Sequence, residues 1–222
     1  VRVRDVLHID QHRQRQLSRA MQVILLGLIF IGLDRRNLGI VVNASVGLGV
    51  TYLPAFLERD YRIPMDAGLT LWISTAAFLH AVGTVGLPGS ETSFYASVWW
   101  WDHLTHALSS SVVAAAGYAT ARAFDEHTEA VYFPPRFMFV FILLFVLAFG
   151  VFWEVIEFAI SGIAALTGTG SVLTQYGLDD TMLDLVFDAI GGVVVAAWGT
   201  AHLSDVVGAL RTRFDGRARN SR

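Results

Sequence analysis

Three short stretches of this sequence hold the residue types that bind metals or move protons. WDHLTH sets Asp102 and His106 four apart. WEVIE sets Glu154 and Glu157 three apart. LDDTMLDLVFD sets Asp180, Asp184 and Asp188 at successive steps of four. On a helix, residues three or four apart share a face, so each stretch presents its polar groups in one direction. His80, in FLHAVG, adds a second imidazole. Imidazole nitrogen with carboxylate oxygen suits Zn, Mn, Fe or Mg. A histidine one turn from an aspartate equally suits a proton shuttle.

The elements that carry these residues are apolar. Of 222 residues, 54% are hydrophobic and 16% are charged, against about 25% charged in soluble domains. A soluble enzyme, a disordered chain and a nucleic-acid binder are all excluded as readings. The absence of cysteine removes disulfide scaffolds and thiolate metal sites. Residues 20–33, 37–57, 67–87, 97–121, 137–167 and 181–205 form successive apolar segments. A helix needs about 20 apolar residues to cross a hydrocarbon core of roughly 30 Å. The first segment is short and must borrow length from its polar flank. Membrane strands would alternate apolar and polar residues over roughly ten positions; these runs do not. The expected fold class is all-α, a polytopic membrane protein built as a bundle of about six transmembrane helices. Residues 1–19 read as a basic cytoplasmic segment without signal-peptide features, 20–207 as the six-helix domain and 208–222 as a basic cytoplasmic tail.

Orientation follows from the arginines, which supply all 16 basic residues. With six spans and an inner N-terminus, inner segments carry 14 of them and outer segments two, Arg35 and Arg36. The positive-inside rule then places both termini in the cytoplasm of a plasma-membrane protein. In that orientation His80, Asp102, His106, Glu154, Glu157, Asp180, Asp184 and Asp188 all fall toward the outer side. Four helices deliver ionisable groups to one depth. Each such group costs about 2.5–3.5 kcal/mol near mid-bilayer, and such residues face an interior or a cavity.

Six carboxylates near two arginines cannot all stay ionised without compensation. Bound cations, protonation or surface water must balance them. Three readings stay open: a metal centre, a proton- or cation-coupled transporter, and a hydrogen-bonded polar cap that holds the helices in register. The metal reading leads.

The order FLHAVG, WDHLTH, WEVIE, then Gln175 with Asp180, Asp184 and Gly191 in QYGLDDTMLDLVFDAIGG, resembles the YjdF-like inner-membrane family. More distantly it is similar to VanZ-like membrane proteins. The likeness covers roughly residues 20–205. It implies a six-helix membrane bundle and carries over no reaction. It sets Asp188 apart, since that position is more often an amide or a small residue in the family.

The residues assign as follows. Asp102, His106, Glu154, Glu157, Asp180 and Asp184 are the candidate ligands of a divalent ion. Glu157, Asp180 and His80 are the candidate catalytic groups, a spare carboxylate serving as general base. The function expected is a metal-dependent hydrolase or transferase acting on a lipid or lipid-linked substrate. The alternatives are a small transporter or channel component and a noncatalytic envelope or assembly protein. Membrane lipids are the expected partners, nucleic acid is not, and oligomerisation stays open. His103 lies about 100° around the helix from Asp102 and points toward the interface. His202 is expected at the cytoplasmic boundary. Ser109, Ser110 and Ser111 read as back-bonded to their own helix. Trp99, Trp100 and Trp101 read as an interfacial anchor.

Overall fold

In the computed structural model, residues 11–86, 92–128, 132–173 and 175–220 are described, and their regular elements are helices. They are α1 (Gln11–Asp34), α2 (Leu38–Thr51), α3 (Leu53–Tyr61), α4 (Ala67–Gly83), α5 (Phe94–Ser97), α6 (Trp101–His127), α7 (Pro135–Thr167), α8 (Leu178–His202) and α9 (Ser204–Asn220). Six helical passes result, because α2 and α3 form one pass broken at Tyr52, just before Pro54. Three passes are long and apolar enough by themselves to cross a membrane: Gln11–Asp34, Leu38–Tyr61 and Pro135–Thr167. The others are shorter, as in α4, or carry the ionisable residues, as in α6 and α8. The first pass gains its length from the basic flank, since α1 runs unbroken through Arg19.

Local chemistry sets the boundaries. Asn37 caps α2 by accepting from the Ile40 amide, and Asp66 caps α4 by accepting from that of Leu69. Proline opens α7 where no intrahelical amide is needed. Gly168, with φ 67°, ends it in the left-handed conformation.

The bundle is turned inside out relative to a soluble protein. Along α7, Phe152, Val155, Phe158 and Leu166 are exposed, whereas Glu154 and Glu157 are 5% and 9% exposed. Apolar side chains face lipid, and polar ones face the interior. The passes fall into two groups. Helices α1, α2 and α4 pack together around Leu25, Ile40, Ala44 and Ala81. Helices α6, α7, α8 and α9 pack around Ala114, Tyr118, Ile142, Val146 and Val207. Contacts of α4 with α6 join the groups, whereas α2 and α7 do not pack along each other among the described residues.

The α6–α8 contact is the most extensive in the bundle, and small residues make it possible. A Cβ at Gly191 would lie 2.3 Å from the Ala107 carbonyl oxygen and 2.3 Å from Ser110 Oγ. Asp184, Asp188, Gly191 and Val195 share the buried face of α8. The close approach at Gly191 therefore also sets how near the aspartates come to α6. Two of the three serines of α6 bond back to their own helix, Ser110 Oγ to Ala107 O and Ser111 Oγ to Leu108 O. At the far end, α9 folds back on α6. Phe214 stacks on Phe124, and His127 Nδ1 lies 2.7 Å from Asp215 Oδ1. Gly191→Ala should lower stability by about 1–3 kcal/mol through overpacking. Gly162→Ala, where a Cβ meets nothing within 4 Å, should not. Unfolding in detergent measures both, and equal stability of the two variants would refute the close-packing account.

Candidate metal centre

His106 lies at the centre of the polar end. It projects from the second turn of α6 and is flanked by three carboxylates. Its Nε2 lies 3.6 Å from Asp102 Oδ1, one turn back on the same helix, and 3.8 Å from Asp184 Oδ2 on α8. Its Nδ1 lies 3.3 Å from Asp188 Oδ1. An ionised carboxylate only accepts, so the ring nitrogen facing Asp188 carries a hydrogen, and Nε2, between Asp102 and Asp184, is the nitrogen that would give up its proton to an ion. Ligand atoms of Asp102, His106 and Asp184 all lie within 4.8 Å of one another. One imidazole nitrogen and two carboxylate oxygens form a donor set suited to a hard or borderline divalent ion.

Two residues outside this triad hold it in place. Asp188, 5% exposed, stands behind His106. His103 Nδ1 lies 3.4 Å from Asp184 Oδ1, and its ring stacks on Phe187 at 4.7 Å with 3° between planes. Carboxylates and imidazoles in these positions orient metal ligands. The sequence expectation that His103 faces the interface is thus corrected: Asp184 and Phe187 draw it inward. Asp188, set apart by the resemblance, sits on the same face of α8 as Asp184.

The remaining candidates surround the triad at different removes. Glu157 and His80 line a cavity of about 130 Å³ together with Asp102. Glu157 Oε1 accepts from Trp153 Nε1 at 3.0 Å. Glu154 Oε2 accepts from Thr181 Oγ1 at 2.6 Å, and Thr181 in turn accepts from Gln175 Nε2. Glu154 Oε1 is buried without a hydrogen-bond partner. Asp180 is half-buried at the start of α8, where its Oδ2 accepts from the Tyr176 amide. Arg35 and Arg36 are exposed in the turn between α1 and α2. The His202 side chain lies outside the described residues.

Aromatic residues close the end of α4. Thr84 N donates to Ala81 O, which leaves the His80 carbonyl without its usual helical partner. The Tyr95 phenol supplies one at 3.2 Å, and its oxygen lies 2.9 Å from His80 Nδ1. Burial pushes the phenol well above its ordinary pKa, so it remains an O–H donor. Trp101 Nε1 donates to Leu79 O. Trp99 and Trp100 are 80% and 44% exposed, so only these two fit the anchor reading, and Trp101 is structural. Burial beside a helix end has no signature in sequence spacing.

A family model described as "Predicted membrane protein (DUF2238)" matches residues 17–205. An uncharacterized protein of Thermotoga maritima is 28% identical over 187 residues, covering 84% of this chain and 90% of that protein. No solved structure matches.

The Glu154 contact generates a thermodynamic test. Thr181→Val removes the donor from a carboxylate whose other oxygen already lacks one. It should cost about 1–3 kcal/mol. Adding Glu154→Leu to Thr181→Val should recover much of that loss, because no buried carboxylate is then stranded. Strict additivity in detergent unfolding would show that the bond does not matter.

Proposed function

The chain belongs to the DUF2238 family of predicted membrane proteins, and from its polar cluster we propose a membrane-embedded, metal-dependent hydrolase or transferase acting on a lipid or lipid-linked substrate. The observation that carries this reading is the triad of Asp102, His106 and Asp184, with ligand atoms within 4.8 Å. In this reading the three hold a divalent ion. Asp188 and His103 fix the orientation of His106 and Asp184. Such an ion, when bound, polarises a phosphoryl or carbonyl oxygen and acidifies water. Glu157 accepts a proton as general base and is aimed by Trp153 Nε1. Its neighbour His80 shares the cavity. Asp180, one turn before Asp184, and Glu154 complete the acidic surround.

The 14-to-2 distribution of arginines supports a plasma-membrane orientation with both termini cytoplasmic and this centre toward the outer leaflet. Reporter fusions at each end test it. Both termini outside would reverse the site's leaflet, and termini on opposite sides would overturn the six-pass topology.

A second reading, proton- or cation-coupled transport, is favoured by one feature, the partnerless buried Glu154 Oε1. Elemental analysis of gently purified protein separates the two. The enzyme reading expects about one divalent ion per chain, as suits a single triad. It expects loss of the ion in His106→Ala, and roughly 10–100-fold weaker binding in Asp188→Asn and His103→Ala. His127→Ala, at the opposite end, should bind normally. A stoichiometry near zero, with no thermal shift on adding divalent cations, would favour transport or a structural cap.

A further inference from the structure

Two cavities of opposite character meet at the triad. The larger, about 420 Å³, is walled by Val46, Val50, Ile73, Val113, Val146 and Phe149. Its polar residues include His80, His106 and Asp188. Its volume lies in the range of small-molecule pockets, roughly 300–1,000 Å³. The smaller, about 130 Å³, is lined by Asp102, Glu157, Tyr95, Tyr176, Ser93 and Thr84. At about 30 Å³ per water it has room for a group the size of about four waters. The two share Asn43, His80, Val172 and Leu173 as common wall. His106 faces the apolar cavity and Asp102 the polar one, so the triad stands at the junction.

The apolar cavity also reaches the bundle's outer face. Val46 on α2 and Phe149 on α7 belong to its wall, yet they are 60% and 44% exposed. These are the two helices that do not pack along each other. The opening faces lipid, because both flanking passes carry long apolar surfaces. It is closed above by the α7–α8 connection. There Asn43 Nδ2 donates to Val172 O at 2.8 Å, and Ser161 Oγ to Leu173 O at 2.9 Å.

The charge of the polar cavity restricts what enters it. Among the described residues no arginine lines it, and two carboxylates do. A divalent ion on the triad would offset Asp102 and Asp184, and no cationic side chain among the described lining residues offsets Glu157. An anionic head is repelled there. Hydroxyl, amide and imidazole groups around the cavity instead offer hydrogen bonds to an uncharged or cationic head.

We propose that the cleft between α2 and α7 admits the single alkyl chain of an amphiphile with a small, non-anionic polar head. The chain fills the larger cavity, the head fills the smaller one, and their junction lies beside His106 and Asp102. This names the substrate class of the enzyme reading above, and it rests on that reading only for the chemistry, since binding can be tested without it.

The test uses the full chain in nanodiscs with two photoactivatable probes, a diazirine-bearing alkyl glycerol and an alkyl phosphate of equal chain length. Labelled positions are mapped by mass spectrometry. The glycerol-headed probe should label the cavity walls of α2 and α7 with about tenfold preference over the phosphate-headed one, the effect of one unfavourable charge contact. Val113→Phe, which narrows the apolar cavity, should reduce that labelling. Glu157→Gln should bring the two probes closer together and keeps the test decisive if Val113→Phe does not fold. Equal labelling by both heads in the unaltered protein would overturn the proposal. So would labelling confined to the outward face of α7. Elemental analysis of the same nanodisc preparation, not treated with chelator and supplied with divalent cations, separates the two claims. Cavity labelling without any bound metal supports the cleft and overturns the metal centre alone. Bound metal without cavity labelling overturns the cleft and leaves the metal centre standing.

Discussion

One imidazole shared among three carboxylates organises the polar end of this bundle. His106 meets Asp102 on its own helix, and Asp184 and Asp188 on α8. Charged groups in hydrocarbon demand partners, and the partners here lie about 80 residues away in sequence. The demand is met only if α8 lies almost against α6. Gly191 permits that approach, and Gly150 admits the Asp188 carboxylate from the α7 side, where a Cβ would lie 2.3 Å from Asp188 Oδ2. The small residues and the acidic ones are thus a single device. Packing sets the electrostatics, and the electrostatics keep the packing in register.

The division of the bundle follows from the same economy of polar groups. The group built on α6, α7 and α8 holds every carboxylate of the cluster. The group built on α1, α2 and α4 contributes His80, Asn37 and Asn43, which donate or accept without carrying fixed charge. Between them lies space rather than packed side chains, at the end where the polar residues are. The opposite end is filled by Ala114, Tyr118, Ile142 and Val207.

The helical class was legible in the sequence, because length and hydropathy decide what can lie in lipid. Same-face spacing also grouped Asp102 with His106, and Asp184 with Asp188. Less legible were roles set by what lies across a helix interface. His103 sits off the Asp102 face by helical angle, yet the rotation of α6 against α8 brings it to Asp184, and Phe187 supplies a stacking surface that spacing does not announce. Trp101 shares its composition signal with Trp99 and Trp100 but turns inward to the Leu79 carbonyl in the last turn of α4. Asp180 continues the stripe of Asp184, yet at the first turn of α8 its carboxylate serves the Tyr176 amide. The cavities left no trace in the sequence, since they arise where α2 and α7 fail to meet.

The separation between His106 and its α8 partners has a consequence for biogenesis. Synthesis delivers α6 to the membrane with Asp102, His103 and His106 already in place, while Asp184 and Asp188 are 81 and 82 residues further on from the histidines they meet. Until α8 emerges, the ionisable groups in the first two turns of α6 have only the Asp102–His106 pair to offset one another, and charge held in lipid without partners is costly. The remaining partners come with α8, so the cluster is complete only once the last pass lies against α6.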